Sequence, residues 1–139
     1  VIEIVREVPG RDELVELYGS VSWAAYTDQP DVLHQAVASS DFVATARMAD
    51  RLVGLVRAIS DDATIAYLQD VLVHPDHQRQ GVGRLLVDAF QMRYGHVRQR
   101  VLLTDDEPSQ LMFYEAMGFV RSDHVDGGAL RAFVDFGRR

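Results

Sequence analysis

The chain has 139 residues, 47% of them hydrophobic and 25% charged, with a net charge of −7 and no cysteine. That length suits a single domain, residues 1–139, able to bury a core unaided, and the lack of cysteine excludes a disulfide framework and a thiol nucleophile. The acidic balance argues against a nucleic-acid partner. No apolar run approaches the roughly 18 residues of a membrane span and no signal peptide is visible, so the expected setting is cytoplasmic, away from membrane.

In chain order, Val1 to Val8 alternates as a strand and is stopped by Pro9-Gly10. Asp12 to Tyr18 reads as a short helix with Leu14, Val15 and Tyr18 inward. Trp23 to Tyr26 then leads to a turn ending at Pro30. Asp31 stands where it would cap a second helix running to Ser39. Phe42 to Met48 and Leu52 to Ile59 read as a hairpin, and Ser60 to Thr64 as a turn whose acids are a surface partner for Arg57. Tyr67 to Val73 is a buried strand. The loop from His74 to Gln80 joins it to a helix opening at Gly81, with Val82, Leu85, Leu86, Ala89 and Phe90 on one apolar face. Gln99 to Thr104 is the next strand, and strand–helix–strand in one sheet implies a right-handed parallel crossover. A helix after Pro108 ends at Gly118, read as a left-handed C′ residue with Phe119 docked behind it. Phe119 to Asp123 and Leu130 to Phe136 read as a closing pair of strands.

The informative stretch is the passage from strand to helix through Gly81 and Gly83. The first turn of a helix leaves N–H groups unpaired, and the helix dipole adds positive charge there. Glycine lets a ligand approach the backbone closely. A Walker loop is excluded, because Arg84-Leu85 stand where Lys and Ser or Thr are needed. A dinucleotide fingerprint is excluded because Leu86 replaces its third glycine.

The longer run Gln78-Arg79-Gln80-Gly81-Val82-Gly83, after a strand ending Val71-Leu72-Val73-His74-Pro75, closely resembles the acyl-CoA signature of the GNAT N-acetyltransferases. Phe113 to Phe119 is similar to that family's next signature helix, and the resemblance covers about residues 42 to 123. It implies an α/β (α+β) fold with a mixed, mostly antiparallel sheet of about six to seven strands, a splayed central parallel pair and about four helices. It implies acetyl-CoA as co-substrate and no metal. The backbone of Val71, Leu72 and Val73 would hold pantetheine, and the amides of Gln80, Gly81, Val82, Gly83 and Arg84 the pyrophosphate, with Arg79 and Arg84 adding charge and Gln78 also in the cofactor site. Trp23 and Tyr26 would border the acceptor pocket. At Glu107 and Gln110 the chain departs from the Asn and Ala that the family often carries.

Two residues are expected to carry the chemistry. Tyr114 lies roughly 130° off the stripe of Met112, Phe113, Ala116 and Met117 at ~100° per residue; in the resembled family a tyrosine here protonates the departing thiolate. Asp70 shares a nominal strand face with Leu68 and Leu72, where a buried carboxylate needs partners. It either bonds to backbone, Tyr or Arg as structure, or it binds and deprotonates the acceptor ammonium. His74 and His77, in an extended loop, do not make a defined metal pair. The expected reaction is acetyl transfer to a primary amine, a small molecule being favoured over a protein or peptide. The other readings are a protein acetyltransferase and a non-catalytic acyl-CoA sensor, and a homodimer stays open.

Overall fold

The computed structural model describes residues 1–137, in two compact units: Val1–Leu103, and a second from Thr104 onward. The first contains a five-stranded sheet in the order β1-β2-β3-β4-β5. Its strands are β1 (Glu3–Val5), β2 (Phe42–Met48), β3 (Arg51–Ser60), β4 (Ile65–Val73) and β5 (Gln99–Leu102). Pairing is antiparallel from β1 to β4 and parallel between β4 and β5. The expected hairpin and parallel crossover are both present. The helices of this unit are α1 (Arg11–Ser20), α2 (Ala24–Thr27), α3 (Pro30–Ala38) and α4 (Val82–Arg93).

On one side, Leu14, Leu17 and Tyr18 of α1 and Leu33 and Val37 of α3 bury against Val43, Leu52, Leu55 and Leu72. On the other, α4 buries Val82, Leu86, Val87 and Phe90. Gly54 makes that approach possible, because a Cβ there would meet Leu86 Cδ1 at 3.0 Å and Val82 Cγ1 at 3.2 Å. Leu85, expected on the buried face, is 41% exposed, and Val87 takes its place. Asp31 is not a cap. Pro30 opens α3 after Gln29, and Asp31 sits in the first turn, accepting from Arg11 Nη1 at 2.7 Å.

A β-bulge decides how the centre of the sheet is used. Arg57 pairs with Asp70 and Ala58 with Leu68, so Gln69 is the extra residue on β4. Arg57 and Ala58 are consecutive on β3 and point to opposite faces, and so do their partners. Asp70 therefore lies with Leu72 on the side of α1, and Leu68 on the side of α4, although all three are buried. The simple two-residue alternation that joined Leu68 to Asp70 fails at this point.

In the second unit, α5 (Pro108–Ala116) ends as expected. Gly118 has φ +94°, and Phe119 N–H donates to Tyr114 C=O at 3.0 Å, the bond of a Schellman ending. The stripe assigned to this helix is not a buried one: Met112 is 70% exposed, and no α5 residue is fully buried. The two closing strands are also absent. Among the described residues 119–137 there is a single 3₁₀ turn, Ser122–His124, and no strand, so the sheet has five strands rather than six or seven. A strand needs a neighbour to satisfy its backbone; Leu130 N–H donates to Ser122 C=O at 2.7 Å, but the two segments form no ladder among the described residues.

Candidate active site

Within the first unit, the bulge delivers Asp70 to the aromatic residues of α1 and α2. Asp70 Oδ2 accepts from Arg57 Nε at 2.6 Å and from Tyr18 Oη at 2.9 Å; Oδ1 accepts from Tyr26 Oη at 3.3 Å. Gln69 Nε2 donates to Tyr26 Oη, also at 3.3 Å, so the bulge turns Gln69 and Asp70 toward the same hydroxyl. The Tyr18, Trp23 and Tyr26 rings pack at centroid separations of 5.1–5.9 Å. Beside them is an open cavity of about 550 Å³ lined by Ser22, Trp23, Ala24, Ala25, Tyr26 and Asp70. Trp23 and Tyr26, expected together at the acceptor pocket, and Asp70, expected on the central strand, line one space.

Arg57, expected at the surface beside the acids of the Ser60 turn, is instead 6% exposed and paired with Asp70. Those acids are met otherwise: Asp61 accepts three backbone N–H groups, and Asp62 bonds Arg93 and His96. Burial disfavours the Arg57 charge, but the adjacent Asp70 carboxylate outweighs it, and the guanidinium is held above its ordinary pKa. Burial, with the Asp70 charge second, pushes the Tyr18 phenol up, so it donates as a neutral hydroxyl. Sequence inspection missed Tyr18, Arg57 and Gln69 as site residues. The available signal was the need of a buried Asp70 for polar partners.

The strand-to-helix passage offers a second feature. Pairing of β4 with β5 stops at Leu68–Leu102, while β4 runs on to Val73. His74 N–H donates to Val53 C=O at 2.8 Å. Strand alternation then turns the Leu72 backbone toward β3 and leaves those of Val71 and Val73 facing the open edge. The Val73 carbonyl accepts from Gln78 Nε2 at 3.0 Å. Gly81, at φ +84°, is the N-cap of α4, with no side chain capping the helix and open space where a Cβ would stand. The first N–H with an intrahelical acceptor is that of Leu85, bonded to Gly81 C=O at 3.1 Å. The N–H groups of Val82, Gly83 and Arg84 are the orphan donors of this helix. Gln78, Arg79 and Gln80 are exposed on the approach to it, with Arg79 at φ +63°. Uncapped donors, exposed arginines and a glycine entry fit the phosphate end of an acyl-CoA.

A family model for the acetyltransferase (GNAT) domain matches residues 37–121, more than half of the chain. The chain belongs to the GNAT acetyltransferase family. It is 38% identical over 79 residues to the uncharacterized N-acetyltransferase ycf52 of Gracilaria tenuistipitata var. liui, a match covering 55% of this chain and 42% of that protein. The chain thus spans less than half the length of that curated relative. Among solved structures, the GNAT family protein SP0256 from Streptococcus pneumoniae TIGR4 superposes with a TM-score of 0.86 at 26% identity, over 100% of both chains. AAC(6')-Iy, solved with the bisubstrate analogue CoA-S-monomethyl-acetylneamine, superposes at 0.72 over 95% of this chain and 99% of its own. At 16% identity that is a likeness of fold alone.

In the second unit, Tyr114 stacks edge-on against Phe113 and Phe119, with centroids at 5.0 and 6.0 Å. Burial pushes its phenol up to about 12. His74 Nδ1 accepts the Asp76 N–H at 3.1 Å, which fixes the ring as a turn element. Among the described residues no three His, Cys, Asp or Glu are grouped to hold a metal ion, and no helix is long and apolar enough to cross a membrane.

Proposed function

We propose that residues 1–139 act as one acetyltransferase domain that transfers the acetyl group of acetyl-CoA to a primary amine of a small molecule. The observation that carries this reading is the open edge of β4 leading into the uncapped start of α4. The open edge at Val71 and the Val73 N–H suits a pantetheine arm, the Val73 carbonyl being held by Gln78, and the donors of Val82, Gly83 and Arg84 suit the pyrophosphate, with charge from Arg79 and Arg84. Bound there, acetyl-CoA supplies an activated acyl thioester; the amine forms the new C–N bond as the C–S bond breaks.

Two protons have to be handled. An ammonium must lose one before attack, and the departing thiolate takes one up. Asp70 is assigned to the acceptor side, because Oδ2 is committed to Arg57 and Tyr18 whereas Oδ1 has a single long bond from Tyr26. An ammonium entering between Trp23 and Tyr26 would bond to Oδ1, and the aromatic faces favour a cation. Tyr114 is assigned to the leaving-group side, since a phenol held neutral can donate a proton. The cavity beside Asp70, with its aromatic walls, supports a small acceptor.

The test begins with the co-substrate. Acetyl-CoA added to metal-free protein should raise Tm, and Gly83→Glu, which puts bulk and negative charge at the helix start, should weaken acetyl-CoA binding while the fold persists. An unchanged Kd in that variant would remove the site from α4. Free-thiol release across a panel of amines then identifies the acceptor, and binding without turnover on every amine would leave the acyl-CoA sensor reading.

A further inference from the structure

We infer, on the reading of Asp70 as the acceptor's anchor, that Tyr67 is a specificity-determining residue whose hydroxyl donates to an oxygen carried beside the acceptor's amine. Strand register supplies the placement. Ile59 pairs with Tyr67, and Arg57 with Asp70. Ile59 and Arg57 are two residues apart on β3 and share a face, so Tyr67 stands with Asp70 on the side of α1. Gln69, the extra residue of the bulge, donates to Tyr26 Oη on that same side. The bulge thus turns the polar heads of β4 toward one another instead of alternating them.

The helices cover this side of the sheet only in part. The apolar cluster beneath α1 and α3 takes in Leu55 and Leu72 but neither Ile59 nor Tyr67. Ile59, the cross-strand neighbour of Tyr67, is 45% exposed, and Tyr67 is half-buried. Among the described residues the Tyr67 hydroxyl has no hydrogen-bond partner. Tyr18 makes the contrast: it is buried in the cluster and its hydroxyl is taken by Asp70. Burial pushes the Tyr67 phenol up, and the Asp70 charge and then Tyr26 act in the same direction. Tyr67 is therefore a neutral donor within the field of the carboxylate assigned to the ammonium.

Two groups divide the recognition of one small molecule. Asp70 Oδ1, with its single long bond, accepts from the ammonium. The Tyr67 hydroxyl donates to an oxygen close to it. That oxygen is neutral, because Arg57, the cation at hand, is already committed to Asp70 and Ser40 and the Asp70 charge repels a carboxylate. Amino alcohols and amino amides meet the requirement. An amine lacking the oxygen covers the phenol and leaves its donor unpaired, which is how a hydrogen-bonding site discriminates.

Isopropanolamine and isobutylamine are matched in shape, a hydroxyl in one standing where the other has a methyl. Calorimetry on the full chain, with CoA added, should show isopropanolamine bound about tenfold or more tighter. Glycinamide should likewise bind more tightly than glycine. In Tyr67→Phe, which keeps the ring, the ratio of the isopropanolamine and isobutylamine constants should fall to about one. General damage to the fold would weaken both amines alike and leave the ratio standing. Equal affinities in the wild type, a preference that survives Tyr67→Phe, or no binding of either amine overturns the assignment. Thiol release from acetyl-CoA is scored separately on the same amines. A preference that vanishes with the hydroxyl, without any thiol release, would keep Tyr67 as a binding residue and refute acetyl transfer to these amines.

Discussion

Arg57 and Asp70 face each other across β3 and β4 at the Gln69 bulge, with Arg57 Nε donating to Asp70 Oδ2 at 2.6 Å and both side chains less than a tenth exposed. Removing one charge from such a pair leaves the other buried alone. Asp70→Asn should therefore lower stability by about 3–5 kcal/mol, seen as a reduced urea midpoint. The folded fraction should also lose about 10²-fold in kcat/KM at neutral pH and regain part of it at higher pH, as more acceptor arrives neutral. Full activity per folded molecule, with stability lost, would make Asp70 purely structural.

Tyr114→Phe removes a hydroxyl and keeps the ring that Phe113 and Phe119 contact. The expected result is a fall in kcat of about 10²-fold with little change in acetyl-CoA affinity. With its phenol pushed up to about 12, Tyr114 stays a proton donor throughout the neutral range. A difference titration of wild type against Tyr114→Phe should show one phenol ionising above the ordinary value of 10.0. An unchanged kcat, with chemistry rate-limiting, would leave Tyr114 a packing residue.

The strands β2 to β5 and helix α4 were legible because local pattern and burial agree there. Phe42–Met48 has the bounds read from sequence, and Gly81 opens α4. What was not legible depends on events away from the local pattern. The side of the sheet that Asp70 faces depends on a one-residue bulge that no periodicity announces. Arg57 looked solvated only because its partner lies thirteen residues away on the next strand. The segments after Gly118 have strand-like sequences and no strand, because a strand is made by its neighbour as much as by its own residues.

Two glycines should respond to alanine for different reasons. At Gly81 a Cβ meets open space, but φ is +84°, so Gly81→Ala should cost about 1–2 kcal/mol of backbone strain alone. At Gly54 the Cβ would stand 3.1 Å from the Leu72 carbonyl oxygen and 3.0 Å from Leu86 Cδ1. Gly54→Ala should therefore lift α4 from the sheet and cost about 1–3 kcal/mol by overpacking. Trimming Leu86 to Val should recover part of the second loss and none of the first; equal recovery in both would refute the distinction.

The last prediction concerns acid. Arg47 on β2 donates through Nε to Glu7 at 2.7 Å, and through Nη1 and Nη2 to Glu13 at 2.6 and 3.0 Å. These hydrogen bonds are the largest influence on both carboxyls and hold them below their ordinary value of 4.5, against the opposing effect of partial burial. A carboxyl that binds protons less readily when folded takes up protons on unfolding, so stability must rise with pH across its titration. The contribution is complete above 4.5 and disappears as pH falls through the lowered folded values. Urea midpoints measured from about pH 7 down to about pH 3 should decline in the lower part of that range. Arg47→Met removes the cause, since neither carboxyl then has the guanidinium to favour its charged form. Its midpoint should be lower at neutral pH and should fall less on acidification, so the two curves converge at low pH. Parallel curves for the two proteins would show that other carboxylates, not Glu7 and Glu13, set the acid response.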